Sequence, residues 1–315
     1  MLSQSVEGLN IKTNGIYVDA TFGAGGHSRE ILKYLGENGK LFAFDQDTDA
    51  KINLINDPRF TFINHNFKHI KNHLKYYGIE KVDGILADLG VSSHQFDCEN
   101  RGFSYRFDCD LDMRMDTRKS LKASDILHTY SETELCRIFY QYGEIKNARK
   151  LAQLIVHERE ITEFSSSNDF IARIKPCIPA HKEFKYLSQL YQAIRLVVND
   201  EMEVLRSLLE QSTNLLNPNG RIVIISYHSL EDRMVKIFFR SGNFNDIIDK
   251  DLYGNVLSPF KVVNRKAITP NDDELQLNKR SRSAKLRIAE KVTSCELQVT
   301  KENQITKSIN KNYGK

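Results

Sequence analysis

Ile16-Tyr17-Val18-Asp19-Ala20-Thr21 runs without a break into Phe22-Gly23-Ala24-Gly25-Gly26-His27, an apolar, β-prone segment that ends in glycines. Glycine lets the backbone turn with positive φ and lets a ligand approach the main chain closely. The junction therefore predicts a strand followed by a binding turn. Residues 28–35 carry Ile31, Leu32 and Leu35 on one helical face, with Gly36 as the stop. Residues 40–44 read as a second strand ending in Asp45 and Asp47. Asp45 falls about twenty residues beyond the glycines, where a carboxylate can accept hydrogen bonds from ribose hydroxyls. Strand, turn, helix, strand and acid together predict a pocket for an adenosine-bearing cofactor.

Two cofactors suit such a unit. A dinucleotide fingerprint wants a third glycine where this chain has Ser28. Asp19, just before the turn, would repel a pyrophosphate and attract the ammonium and sulfonium of S-adenosylmethionine. The residues favour S-adenosylmethionine over NAD, although a glycine-rich turn by itself is a weak signal.

Outward from this core, residues 59–64 predict a third strand, and Ile70, Leu74 and Tyr77 a helix ended by Gly78. Residues 82–88 form a fourth, mostly apolar strand, as expected of one covered on both faces. Strands alternating with helices predict a parallel sheet with right-handed crossovers. From about residue 120 to 199 the pattern turns helical. Ser131-Glu132-Thr133-Glu134 reads as a capping box ahead of Leu135, Ile138, Phe139 and Tyr142. Further faces carry Ala148, Leu151, Ala152 and Ile155, then Phe170, Ile171 and Ile174 before Pro176. Long helices over 187–216 lead to the turn Asn217-Pro218-Asn219-Gly220, a fifth strand at 221–226 and a helix at 231–240. Residues 284–292 supply a closing strand. The expected organisation is an α/β domain in two parts, 1–104 and 199–292, with an all-helical subdomain inserted at 105–198. A polar, unpatterned tail at 293–315 is expected to be disordered.

At 315 residues the chain can bury a full core. It has no apolar run of about eighteen residues, which argues against a membrane span, and no secretory signal is visible at its start. Its five cysteines are scattered and form no C-x-x-C pair, which argues against a zinc site or a disulfide framework and fits a reducing cytoplasm. The net charge of +4 permits a polyanionic partner without demanding one.

Several motifs occur in a telling order. They are Gly23-Ala24-Gly25-Gly26-His27-Ser28, then Asp88-Leu89-Gly90-Val91-Ser92-Ser93-His94-Gln95, then Arg101-Gly102-Phe103-Ser104 and Leu111-Asp112-Met113-Arg114-Met115-Asp116. Gln192-Ala193-Ile194-Arg195 with Asn199 and Glu201, Ser226-Tyr227-His228-Ser229-Leu230-Glu231-Asp232-Arg233, and Arg280-Ser281-Arg282-Ser283-Ala284-Lys285-Leu286-Arg287 follow. Over residues 8–292 the chain resembles the RsmH (MraW) family of bacterial 16S ribosomal RNA cytosine-N4 methyltransferases. The resemblance implies a Rossmann-like class I methyltransferase fold with an inserted helical subdomain. It also implies S-adenosylmethionine as cofactor and a cytidine of the small-subunit decoding centre as acceptor. By motif match, Gly25, Gly26, His27, Asp45, Phe67, Asp88 and Gln95 are its cofactor contacts. Three features depart from the family pattern. Met1 falls inside a segment that usually holds a histidine and a Pro-Val-Leu stretch, implying a truncated or mis-assigned start. Lys279 stands where a proline is usual, and the tail has no counterpart.

Asp88 closes the fourth strand, where ligands gather in open α/β sheets, and is the candidate catalytic residue; the bland reading is a turn cap. Asp19 is placed near the cofactor amine or as a cap. His27 is either a helix-end contact or a ligand contact, and Phe67 packs either on adenine or in the core. Arg114, between Asp112 and Asp116, either grips phosphate or sits in a salt-bridged loop. Tyr227 and His228 can stack a flipped cytosine, because a base must leave its helix to be methylated, or serve a capping pattern over 229–232. Arg280 and Arg282, with Lys279, Lys285, Arg287 and Lys291, form the densest basic stretch, suited to phosphate contact or to a solvated edge strand. Nothing in the sequence argues for a catalytic metal. Alternative readings keep the cofactor but change the acceptor to DNA or a protein amine, or make the chain a ribosome-assembly factor that binds without turnover. An NAD oxidoreductase is the remaining alternative.

Overall fold

The computed structural model describes residues 1–251, 253–254 and 256–293; the expected disordered tail, from 294 on, lies outside them. The chain divides into two compact units, one of residues 1–90 and 204 onward, the other of residues 91–203.

In the first unit the described strands are β1 (Ile16–Asp19), β2 (Lys40–Phe44), β3 (Phe60–Ile63), β4 (Val82–Asp88), β5 (Leu216–Ser226), β6 (Phe260–Val262) and β7 (Lys285–Lys291). They form a sheet of order β3-β2-β1-β4-β5-β7-β6. The first five are parallel, whereas β7 runs antiparallel to both β5 and β6. The order reverses beside β1, where β1 pairs with β2 on one side and β4 on the other. Such a switch point opens a crevice at the carboxyl ends of the strands.

Side chains alternate across the sheet with period two. Val18, Phe42, Ile85, Ile222 and Ile224 pack on one face with residues of α3 (Ile70–Tyr76), α10 (Glu201–Leu215) and α11 (Ser229–Ser241). Tyr17, Leu41, Leu86, Val223 and Ile225 pack on the other with α1 (Leu2–Leu9) and α2 (Gly26–Tyr34). This two-sided cover explains why β1, β2 and β4 read as continuous apolar runs. The turn expected at Asn217–Gly220 is a bulge within β5. Val82 pairs with Leu216 and Gly84 with Arg221, and Asn219 adopts φ 63°. The closing strand is not an edge strand, one of its two alternative readings, because β6 covers its outer side.

The second unit is helical: α4 (Ser93–Asp97), α5 (Ala123–Thr129), α6 (Glu132–Gln141), α7 (Ala148–Ile161), α8 (Ser167–Ile174) and α9 (Glu183–Val198). The predicted capping box opens α6, with Ser131 and Glu134 satisfying each other's backbone N–H groups. The apolar faces of α6 to α9 close on one core that includes Leu135, Phe139, Leu151, Ile155, Phe170 and Leu190. In the first unit a short helix, α12 (Asp272–Leu277), precedes a turn at Lys279–Ser283 that leads into β7.

Candidate active site at the switch point

The glycine turn is held open by carboxylates. Asp19, fully buried at the end of β1, accepts the Thr21 N–H at 3.1 Å on one oxygen and the Ser28 hydroxyl at 2.7 Å on the other. This bond ties the first turn of α2 to β1. Burial pushes the Asp19 carboxyl up, opposed mainly by His27. Gly23 and Gly25 sit at φ 51° and 77°, the left-handed region that glycine adopts without a steric penalty. A Cβ on Gly25 would meet Arg29 Nη1 at 2.6 Å and the Phe22 ring at 2.9 Å, whereas one on Gly26 would meet nothing within 4 Å. Gly26 thus faces open space at the start of α2.

Asp45 crosses to the same turn from β2. One oxygen accepts the Gly23 N–H at 2.7 Å, the other the Asp47 N–H at 2.9 Å. Burial is the main cause that raises its pKa from 3.8 to about 6, with the charges of Asp47 and Asp19 adding to it. Each oxygen retains a lone pair for a further donor.

Asp88 ends β4 and donates its backbone N–H to the Thr21 hydroxyl at 2.7 Å. Its carboxylate is 29 % exposed. Oδ1 accepts the Tyr227 hydroxyl at 2.9 Å, and Oδ2 lies 3.9 Å from His27 Nδ1. Burial raises the Asp88 carboxyl, while His27 and the Tyr227 hydrogen bond pull it down. His27 Nε2 is buried without a hydrogen-bond partner among the described residues. A buried nitrogen without a partner calls for an explanation, for which a polar ligand atom or an ordered water would serve.

Tyr227 and His228 follow β5. The cap of α11 is His228 rather than the expected Ser229: its Nδ1 accepts the Glu231 N–H, and Glu231 in turn accepts the N–H groups of Tyr227 and His228. Tyr227, His228, Ser229, Thr269, Arg282, Ser283, Ala284 and Lys285 line a cleft of about 300 Å³. Four residues named in the sequence as possible substrate contacts, Tyr227, His228, Arg282 and Lys285, therefore meet there. Arg280 and Arg282 are exposed in the turn before β7. Lys285 and Arg287 are instead drawn to the buried Asp232, at 3.0 and 2.6 Å.

Phe67 begins a short turn after β3, half-buried against the core that contains Phe44. That turn is linked to the end of β2 by Asn66 Nδ2, which donates to Gln46 Oε1 at 2.7 Å. Two candidates belong to the helical unit. Gln95 is buried and accepts the Ser92 N–H at 3.0 Å in the capping box of α4. Arg114 makes a fork to Asp112 and donates to the carbonyls of Thr117 and Lys119, so its guanidinium is held by its own loop. Among the described residues no group of His, Cys, Asp and Glu side chains is arranged to hold a metal ion.

The crevice offers an acidic acceptor on β2, open main chain at Gly26 and an unsatisfied imidazole nitrogen. These features fit a nucleoside-bearing ligand with a polar tail. Residues 1–292 match the model of the MraW methylase family. The chain belongs to that family. It is 55 % identical over 293 residues to the ribosomal RNA small subunit methyltransferase H of Parabacteroides distasonis, covering 93 % of this chain and 96 % of the relative. The corresponding protein of Bacteroides thetaiotaomicron is 53 % identical over 92 % of this chain and 96 % of its own. That of Flavobacterium johnsoniae is 53 % identical over 93 % and 96 %. As an MraW methylase the chain is an enzyme dependent on S-adenosylmethionine, and its sheet with a helical insertion is the Rossmann-like methyltransferase fold. The NAD reading is set aside.

Three contacts of the candidate site were not read from the sequence. Thr21 accepts the Asp88 N–H from 67 residues away, and Ser28 donates to Asp19 nine residues before it. Their signal was the Thr and Ser bracketing the glycines. The third is the Tyr227–Asp88 contact, whose partners are 139 residues apart and carry no local pattern.

Proposed function

We propose that this MraW methylase transfers a methyl group from S-adenosylmethionine to the N4 amine of a cytidine in the decoding centre of 16S ribosomal RNA, acting in the cytoplasm on the small ribosomal subunit. The observation that carries the reading is Asp88, a partly exposed carboxylate at the carboxyl end of β4, held between His27 and Tyr227.

When bound, S-adenosylmethionine supplies an electrophilic methyl group. Asp45 is the acceptor for ribose hydroxyls, Gly25 makes the left-handed turn, Gly26 gives close access to main chain, and His27 offers Nε2 to a polar atom. Phe67 completes the proposed cofactor contacts of the first unit. The cytosine amine is a poor nucleophile because its lone pair is delocalised into the ring. A carboxylate that accepts one of its N–H hydrogens favours the pyramidal form and takes the proton that the methylated nitrogen must lose. Burial makes Asp88 a stronger base than a free aspartate while its side chain stays partly exposed. The cleft beside Tyr227 and His228 suits an extruded base, with Arg282 and Arg280 at hand for the backbone phosphates.

The test supplies labelled S-adenosylmethionine with small subunits lacking the modification, naked 16S RNA, DNA or a protein mixture. Incorporation into small-subunit RNA at cytosine N4, lost in Asp88→Ala and Asp88→Asn, is the expected result. Cofactor binding without incorporation into any acceptor would overturn the enzymatic assignment in favour of an assembly factor. Incorporation into DNA or protein alone would overturn the acceptor.

A further inference from the structure

Tyr227 stands between two parts of the site. Its backbone N–H is anchored by Glu231 at 3.0 Å, and its ring packs partly buried with the core that includes Ile225 and Leu286. Its hydroxyl reaches Asp88 Oδ1 at 2.9 Å. The same side chain forms a wall of the 300 Å³ cleft with His228, Arg282 and Ala284. A phenol has a single proton to donate, and here Asp88 receives it. Burial and the charge of Asp88 both push the Tyr227 hydroxyl upward, so it remains a phenol and a donor at neutral pH.

The consequence falls on the carboxylate. With Oδ1 engaged, Oδ2 is the oxygen left for the amine of an entering base, and the torsion of the carboxyl group is set by a side chain that also touches the cleft. We propose that Tyr227 is a positioning residue for methyl transfer, fixing the Asp88 carboxylate so that Oδ2 meets the N4 amine of a base seated in the cleft. This rests on the assignment of Asp88 as amine acceptor. It differs from a stacking role for Tyr227, since the hydroxyl and not the ring carries the effect. The other groups that face Asp88 are His27 from α2, Asp19 from β1 and the amino group of Met1 ahead of α1. None of them is altered by removing the hydroxyl.

Tyr227→Phe keeps the ring and deletes the bond. Removing one hydrogen bond to a charged group predicts a fall in kcat of about tenfold to a hundredfold. KM for the small subunit and the affinity for S-adenosylmethionine stay within about twofold of wild type. Because the hydroxyl lowers the Asp88 pKa, the acid limb of the kcat–pH profile moves to higher pH in the variant. Wild-type kcat and an unmoved acid limb in Tyr227→Phe would overturn the proposal, as would a kcat loss without the pH displacement. Full activity of Asp88→Ala would instead remove the assignment beneath it, so the two failures are told apart.

Discussion

Replacing Asp45 with asparagine separates the cost of an empty site from its use. Burial holds the Asp45 pKa near 6 against an ordinary 3.8. That difference of a little over two pH units corresponds to about 3 kcal/mol. Between pH 4 and 6 the folded, ligand-free protein keeps a proton that the unfolded chain has released, so stability falls as pH rises through this window and levels off above it. Asparagine has no such titration. It does leave one of the Gly23 and Asp47 N–H groups facing an amide NH₂, a pH-independent loss of about 1–3 kcal/mol. The variant is therefore less stable at pH 4, and its disadvantage shrinks by about 3 kcal/mol by pH 7. Urea unfolding of both proteins across this range measures the difference. Ribose hydroxyls that donate to Asp45 favour the ionised form, so wild-type affinity for S-adenosylmethionine should fall about tenfold per pH unit below 6. That dependence should vanish in Asp45→Asn. Parallel stability curves for the two proteins, or the same pH dependence of binding, would refute the assignment of Asp45 as a buried acceptor.

Gly26→Ala should leave thermal stability unchanged or raise it, since the added methyl meets no protein atom and alanine favours the helix by up to about 1 kcal/mol. Cofactor affinity measured by calorimetry should nevertheless fall, because the methyl group occupies the ligand's approach; unaltered affinity would place the cofactor elsewhere. Charge reversal at Arg280 and Arg282 should weaken small-subunit binding and reduce the slope of log K against log salt by about one for every phosphate the variant no longer neutralises. An unchanged slope would exclude this turn from the RNA interface. Asp232→Ala should destabilise the first unit by about 3 kcal/mol, since it leaves Arg287, 11 % exposed, without its carboxylate; a denaturation midpoint equal to wild type would show that the pair contributes nothing.

Much of the fold was legible because its signals are local. Residues 16–21, 40–44 and 82–88 are apolar on both faces and sit between turns, which a doubly covered strand requires. The same holds for α6 and α7, whose buried positions are those of the helical periodicity. By contrast, β6 is the three-residue Phe260–Val262, too short for any period to show. The bulge in β5 placed turn residues inside a strand, a register effect set by the partner β4. At the site, Asp45 and Asp88 were marked by their place at strand ends. The use of Lys285 and Arg287 was not, because Asp232 lies more than fifty residues away in sequence and converts two presumed phosphate contacts into internal ion pairs.

Methylation of a cytosine amine held by Asp88 is open to direct measurement. Nucleoside mass spectrometry of 16S RNA, from a strain lacking the gene and complemented with either wild type or Asp88→Ala, tests it most directly. N4-methylated cytidine is expected with wild type and is absent with Asp88→Ala at equal protein levels. The modification restored in full by Asp88→Ala, or present without any copy of the gene, would contradict it.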